Sequence, residues 1–260
     1  MDAFEELELR CADAWPAVTA DKIGDWRLRA AGGFTGRANS ALAVGDPGMP
    51  IATALREVCD FAHAHGIPPV VHAVVGSANE RAIEAAGWVP NTGHVTGHRV
   101  SVLTGPLSTG TEGTEGTGGA GAAGAAAVLA SPSAGWWELT VGRREPTAAE
   151  RHVLTTGEVG YGVAEVTGVT AGAVRAAVAG DVLHIARLEV RPGHRRRGLG
   201  SALMAACGAW AARRGARRTV LQVAAGNHAA LALYRRLGFT GHHEYRYWVP
   251  RPQACEDRSL

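Results

Sequence analysis

The feature that most constrains this chain is an apolar run ending in a glycine-bearing, arginine-rich turn and resuming as an alanine-rich segment. Leu183 to Val190 has the length and composition of a buried strand, and Pro192 with Gly193 stops it. Arg195-Arg196-Arg197-Gly198-Leu199-Gly200 follows, and Ser201 to Arg214 then carries strong helix formers and no proline. A strand, a tight glycine loop and a helix start together make an anion site. Glycine lets the backbone approach closely, free N–H groups at the helix start point outward, and the helix dipole favours negative charge there. The three arginines add donors matched to phosphate oxygens, so a diphosphate is the natural occupant. An arginine run alone reads as a solvated turn or a nucleic-acid patch. A dinucleotide fold fits poorly: G-x-G-x-x-G is absent, and no acidic residue follows at the ribose-binding offset.

About thirty residues further on, Thr219 to Val223 reads as the next strand. Asn227 then caps a helix that runs to about Leu237 and is closed by Gly238. Tyr234 stands seven residues after Asn227, about two turns on, so both project on one side of that helix.

The loop Arg195 to Gly200, followed by Asn227-x-x-Ala230-x-x-Leu233-Tyr234-x-x-Leu237-Gly238-Phe239, resembles the acetyl-CoA site of the GNAT acetyltransferases. The resemblance covers roughly residues 136 to 250. It implies acetyl-CoA as cosubstrate, with Leu188, Val190, Arg195, Arg196, Arg197, Gly198, Leu199, Gly200, Ser201 and Asn227 as its contacts. Val190 would donate its N–H to the acetyl carbonyl, and Asn227 would help hold the pantetheine or the adjoining backbone. Tyr234 would touch the cofactor and protonate the departing thiolate. One departure stands out: many members carry glycine immediately after the loop's first arginine, where this chain has Arg196.

The expected fold class is α/β (α+β), a tandem GNAT fold with a mixed, mostly antiparallel sheet flanked by helices and a degenerate N-terminal copy. Val159 to Val166, Ala173 to Val178 and Val182 to Val190 read as strands, and Tyr245 to Val249 as the last one. Residues 104–135 are rich in Gly, Ala and Thr and cannot bury enough apolar surface to offset their ordering entropy, which predicts a flexible linker. Around Ala122 to Ala127 the alanines suggest a transient helical turn. The linker separates residues 1–103, a divergent GNAT-like domain, from the catalytic domain at 136–250, and 251–260 form a tail.

A shift of 148 positions sets Thr53-Ala54-Leu55 and Cys59 under Ser201-Ala202-Leu203 and Cys207, and Asn79 under Asn227; Ala86-Gly87-Trp88 echoes Leu237-Gly238-Phe239. In this first copy Pro47 to Ala52 replaces the cradle: its prolines remove N–H donors and it has no arginine. No tyrosine stands at the place equivalent to Tyr234. Its expected work is structural, covering the active domain and shaping the acceptor site.

Composition narrows the class further. Hydrophobic residues make up 46%, enough for a core, and a formal charge of +2 argues against a general nucleic-acid binder. No apolar stretch is long enough to span a bilayer, the acidic N-terminus is unlike a signal or transit peptide, and a cytoplasmic enzyme is expected. Cys11, Cys59, Cys207 and Cys255 show no C-x-x-C pair, so neither a metal site nor a disulfide framework is implied.

Acyl transfer to an amine needs a deprotonated acceptor, a polarised thioester and an acid for the thiolate. Strand alternation predicts His184 on the face of Val190, where some members carry a glutamate base, and turns Glu189 to the other face. Both stand with Tyr234 as catalytic candidates; direct attack with water relaying the proton is the alternative. His242 and His243 edge the acceptor site or form a surface turn. Trp26-Arg27-Leu28-Arg29 and Gly36-Arg37-Ala38-Asn39-Ser40 flank a Gly32-Gly33 turn. This is either a hairpin with solvated arginines or a carboxylate site of Arg29, Arg37 and Asn39. The second option resembles bacterial N-acetylglutamate synthases and implies L-glutamate among small-molecule amine acceptors. A mycothiol-synthase-like transferase, a protein N-terminal or lysine acetyltransferase, and a non-catalytic acyl-CoA sensor are the alternatives.

Overall fold

The computed structural model describes residues 2–94, 97–108 and 126–251. The chain begins with α1 (Ala3–Asp13), β1 (Thr19–Ile23), β2 (Trp26–Ala30), β3 (Ala41–Leu42), α2 (Ile51–Ala64), β4 (Val71–Val74), α3 (Ala78–Ala85), β5 (Val89–Pro90) and β6 (Arg99–Pro106). It continues through β7 (Ala126–Leu129), α4 (Ala134–Val141), α5 (Ala148–Thr155), β8 (Glu158–Val166), β9 (Val169–Ala179) and β10 (Val182–Val190). It closes with α6 (Leu199–Ala212), β11 (Arg218–Ala224), α7 (His228–Arg236) and β12 (Thr240–Val249). These residues form two compact units. The first comprises Met1–Leu103, Gln222–Leu233 and Gly241–Leu260; the second comprises Thr104–Leu221 and Tyr234–Thr240. The helical turn expected near Ala122 lies mostly outside the described residues, and Ala126 to Leu129 pair with β8 as a strand. The tail expected at 251–260 is described only at its first residue.

In the first unit the strand order is β1-β2-β3-β4-β12-β6, with β5 beside β12. The β1–β2, β2–β3 and β4–β12 pairs are antiparallel, and β3–β4 is parallel. Alternation decides what each face carries. Trp26 and Leu28 of β2, Val71 and Ala73 of β4 and Trp248 of β12 face one core with Leu55, Val58 and Cys59 of α2 and Ile83 of α3. Burying each large apolar side chain there contributes about 1.5–3 kcal/mol. The stretch about Gly32-Gly33 is not a tight hairpin turn: Gly36–Ala38 form a 3-10 turn within it, and β2 pairs antiparallel with β1 on one side and, beyond this connection, with β3 on the other.

In the second unit β7, β8, β9 and β10 form an antiparallel meander, and β11 adds parallel to β10. Both units are therefore parts of a mixed, mostly antiparallel sheet architecture flanked by helices. Two glycines of β8 let α6 approach closely. A side chain at Gly160 would meet Trp210 at 2.8 Å, and one at Gly162 would meet Cys207 Sγ at 3.0 Å. Cys11 and Cys207 are free, whereas Cys59 is engaged in a disulfide, against expectation.

Two strand–helix–strand units have matching dimensions. α2 lies between the parallel strands β3 and β4, and α6 between the parallel strands β10 and β11. Ile51 and Leu199, and likewise Ala64 and Ala212, are 148 positions apart and bound these two 14-residue helices. α3 and α7 end alike as well. Gly87 has φ +87° and Gly238 φ +81°, the left-handed conformation that stops a helix. Trp88 N donates to Ile83 O (3.3 Å) and Gly87 N to Glu84 O (2.9 Å); Phe239 N donates to Tyr234 O (3.0 Å) and Gly238 N to Arg235 O (3.1 Å). Ile83 thus holds the place in the first motif that Tyr234 holds in the second.

Candidate active site

Tyr234 is positioned by how its helix ends. The left-handed Gly238 folds Phe239 back over the last turn, and the Tyr234 and Phe239 rings lie 5.7 Å apart. Phe239 itself is seated on Gly105, where an added side chain would come within 2.7 Å of the ring. Tyr234 is buried. Burial, reinforced by the negative charge of Glu189, pushes its hydroxyl up to about 12, so it carries its proton throughout the neutral range.

Glu189 reaches this setting because β10 is irregular. The register against β9 shifts between Ala186 and Glu189, and Arg187 adopts φ +55°. Ala186 pairs with Arg175 and Glu189 with Ala173, so three steps along β10 match two along β9. The inserted residue reverses the alternation: Glu189 falls on the face of His184, and Val190 on the opposite one. The expectation that His184 and Val190 share a face is corrected accordingly. His184 is fully buried in β10, with Ala177 and Val220 as its register partners. Leu188 and Val190 are half-buried, and Glu189 is exposed.

The cradle follows β10 directly. Pro192–His194 form a 3-10 turn, Arg196 has φ +62°, and Gly198 has φ +78° as the N-cap of α6. Arg195 turns back on the strand, its Nε donating to Val190 O at 3.0 Å. Arg195, Arg196 and Arg197 are exposed, whereas Leu199 is buried and anchors the loop. Side chains cap α3, α4 and α5: Ser77, Ser133 and Thr147 each accept from the third residue onward. α6 has no side-chain cap. Its first N–H groups, from Leu199 to Ser201, are therefore presented by a glycine, the arrangement that suits a phosphate. Asn227 caps α7, its Oδ1 accepting from Ala230 N at 3.1 Å.

Arg196 occupies the position where many GNAT sequences have glycine, and its φ of +62° gives the reason. A left-handed non-glycine residue costs roughly 1–2 kcal/mol, partly offset by the chain entropy that glycine loses on folding. Arg196→Gly should therefore leave the melting temperature unchanged or slightly raised in a calorimetric scan. A fall of several degrees would show the loop to be held by the guanidinium instead.

The three acceptor candidates lie in the first unit. Asn39 is committed within its own loop: Oδ1 accepts from Ala31 N (2.8 Å) and Gly33 N (3.0 Å), and Nδ2 donates to Phe34 O (2.9 Å) and Thr35 O (2.8 Å). Arg29 is buried, donating to Ser40 O (3.1 Å) and Ser40 Oγ (3.0 Å), with His72 Nδ1 at 3.4 Å. Burial pulls its pKa down to about 10, which still leaves it charged at neutral pH. The option of solvated arginines therefore fails for Arg29. Arg37 stacks over Trp15 at 4.5 Å and donates to Gln222 Oε1 at 2.8 Å.

Sequence reasoning passed lightly over a buried polar group in this unit. Glu8 lies 3.2 Å from His72 Nε2 and 2.8 Å from His243 Nε2. The polar alternation of β12 was its available signal. Among the described residues no group of three or more His, Cys, Asp or Glu is placed to hold a metal ion. No helix among them is long and apolar enough to cross a membrane.

A strand with an irregular register, an uncapped glycine-led helix and a clamped tyrosine together define a GNAT acetyltransferase domain, a class that takes its acetyl group from acetyl-CoA. Residues 3–248 match the family described as "Probable histone acetyltransferase Rv0428c C-terminal", and the chain belongs to that family. It is 25% identical over 260 residues to the protein named "Uncharacterized N-acetyltransferase YobR" of Bacillus subtilis, covering 96% of this chain and 100% of that one. A GCN5-related N-acetyltransferase from Kribbella flavida shares the fold with a TM-score of 0.69 at 16% identity, over 95% of each chain. So does a tandem GNAT protein from the clavulanic acid biosynthesis pathway, with a TM-score of 0.55 at 17% identity, over 80% of this chain and 74% of that one.

Proposed function

We propose that this chain transfers acetyl from acetyl-CoA to a primary amine within a ternary complex, with Tyr234 as the acid that protonates the CoA thiolate. The observation that carries this reading is Tyr234 itself: buried, clamped by Phe239, and kept protonated. In this reading the α6 N-terminus with Arg196 and Arg197 holds the diphosphate, and Arg195 braces the strand end that carries Val190. Val190 N–H polarises the acetyl carbonyl, and Asn227 holds the start of the tyrosine's helix. Glu189 is a positioning residue that keeps the tyrosine protonated. Removing its charge should move the alkaline limb of the kcat profile to lower pH, because the negative charge raises the tyrosine pKa. A Glu189→Gln enzyme whose alkaline limb stays with the parent's would remove that role.

The matching units β3-α2-β4 and β10-α6-β11, with Ile83 in the place of Tyr234, support a duplicated fold whose first copy has lost the chemistry. α2 starts after Pro50, without a side-chain cap and without arginines before it, which suits a structural copy.

For the acceptor, L-glutamate retains Arg37 as its recognition residue, since Arg29 and Asn39 are buried among internal partners whereas Arg37, though bonded to Gln222, is only part-buried. A second acceptor class is favoured by the family description, which names a histone acetyltransferase: the ε-amine of a lysine in a basic protein. The deciding experiment is CoA release from acetyl-CoA against L-glutamate, other amino acids, polyamines, aminoglycosides, a cysteine-bearing pseudodisaccharide and lysine-bearing peptides. Turnover with one of these identifies the acceptor. Tight acetyl-CoA binding without acceptor-dependent release would replace the enzyme with an acyl-CoA sensor.

A further inference from the structure

The β1–β2 hairpin turns one face to the apolar core and the other towards the end of α1. Ile23, Trp26 and Leu28 take the core face. The register sets Lys22 opposite Arg27 and Ala20 opposite Arg29, and cross-strand partners share a face, so these four side chains lie together on the other one. There they line a cleft of about 410 Å³, which Ala12 and Asp13 close from the end of α1, with Pro16 and Ala17 beyond it. That volume falls within the ~300–1,000 Å³ of small-molecule sites. All of these residues belong to the first unit.

Charge in this cleft does not cancel. Arg29 is 5% exposed and charged at neutral pH, and a buried guanidinium is costly unless a counter-ion meets it. Nε donates to Ser40 O and Nη2 to Ser40 Oγ, with His72 Nδ1 at 3.4 Å from Nη2. A guanidinium only donates, so His72 Nδ1 accepts and the ring aims its Nε2 proton at Glu8 Oε2, 3.2 Å away. Glu8 thus meets Arg29 only across an imidazole, and His243 and Gln222 also donate to it. Among the described residues Nη1 of Arg29 makes no hydrogen bond, and no carboxylate stands within ion-pair distance of the guanidinium. Of the two carboxylates at the cleft, Asp13 is held by Arg27 at 2.6 Å. Asp21 alternates to the opposite face of β1, its Oδ1 accepting from Lys22 N at 2.8 Å. Lys22 is exposed at the rim. Lys22, Arg27 and Arg29 against Asp13 and Asp21 leave one positive charge. An adjoining cleft of about 480 Å³ shares Lys22 and Arg27 but adds Glu5 and Asp25, so the excess is confined to the side of Arg29.

We propose that this cleft binds a small monocarboxylate with a short hydrocarbon body. The carboxylate pairs with Arg29 Nη1 and the Lys22 ammonium, and the body packs on Ala12, Pro16, Ala17 and Ala20. One negative charge balances the lining, whereas a phosphate dianion would add a second one beside Asp13 and Asp21. The floor is pre-organised: Ser40 holds Nε and Nη2 of Arg29 whether or not a ligand is there, so little entropy is lost on binding. The flexible Lys22 closes from the rim. The site is independent of the transferase reading, because acetyl-CoA takes no part in it.

The test is a titration of the 15N-labelled full chain with sodium butyrate, in the absence of acetyl-CoA. Butyramide, which has the same shape without the charge, n-butylamine and inorganic phosphate are the comparison probes. Butyrate should shift the Arg29 Nε–H signal and the backbone signals of Ala20 and Lys22 to saturation, and butyramide and n-butylamine should shift none of them. Lys22→Gln should weaken butyrate binding about 10-fold, as expected for losing a hydrogen bond to a charged group. Ala20→Leu fills the cleft from an exposed strand position and should abolish binding. Both substitutions lie at exposed positions, so the proposal stays testable if variants of the buried Arg29 do not fold. Equal shifts with butyramide, butyrate binding that survives Ala20→Leu, or no saturable shift in the millimolar range would each overturn the site. Phosphate binding at these residues in place of butyrate would overturn the carboxylate assignment. None of these results bears on acetyl transfer, so the two readings fail separately.

Discussion

Tyr234→Phe will lower kcat by roughly 100- to 10,000-fold, the range for loss of a positioned acid, while acetyl-CoA binds as before. Deleting one hydroxyl keeps the ring, and with it the contact to Phe239 at 5.7 Å that closes the helix end. Stability should barely change, and the variant remains testable. The magnitude follows from the leaving group. A thiolate expelled into a buried setting is costly unless a proton meets it, and a hydroxyl pushed up to about 12 is still protonated when that moment comes. The measurement pairs single-turnover CoA release with calorimetric binding of acetyl-CoA. Weakened binding with unchanged turnover would make Tyr234 a cofactor contact and move the acid elsewhere.

Arg29→Ala will lower the unfolding free energy by about 3–5 kcal/mol, as does stripping one member from a buried charged group. Its guanidinium answers Ser40 O and Ser40 Oγ, and its charge is set against the Glu8 carboxylate. Truncation leaves these groups in the interior without their donor, together with a cavity. Urea unfolding followed by tryptophan fluorescence checks this. A residue that instead recognises an acceptor carboxylate would leave the unfolding midpoint in place and raise KM for glutamate alone. The contrast with Arg37 is built into the fold: Arg37 stacks on Trp15 and bonds Gln222 on a part-buried surface.

The helix starts and stops of the second unit's motifs were legible because they are written in local grammar. A glycine after arginines at the head of an apolar helix, an asparagine three residues before the residue whose N–H it caps, and a glycine followed by phenylalanine at a helix end each act over a few residues. Such signals survive in a linear string. Arg196 was visible as a departure, and its backbone angle explains it.

What the string concealed was parity and partnership. Alternation along β10 argued for His184 and Val190 on one face, yet a single inserted residue at Arg187 reverses every side chain beyond it. No pattern of residue types announces that bulge. Arg29 looked like a ligand-binding cation because its strand alternates apolar and charged residues. Alternation says which face a side chain takes, not whether a helix covers that face.

The sequence by itself determined the glycine-led start of α6, the asparagine cap of α7 and the glycine-phenylalanine close that follows Tyr234, since each depends on contacts within one turn or one loop. Only the tertiary structure decided that the charge of Glu189 reaches Tyr234, that Arg29 and Asn39 have internal partners, and that Glu8 meets His243, 235 positions further along the chain. Those outcomes depend on which strands become neighbours, and strand pairing is settled by the burial of the whole sheet rather than by any segment of it.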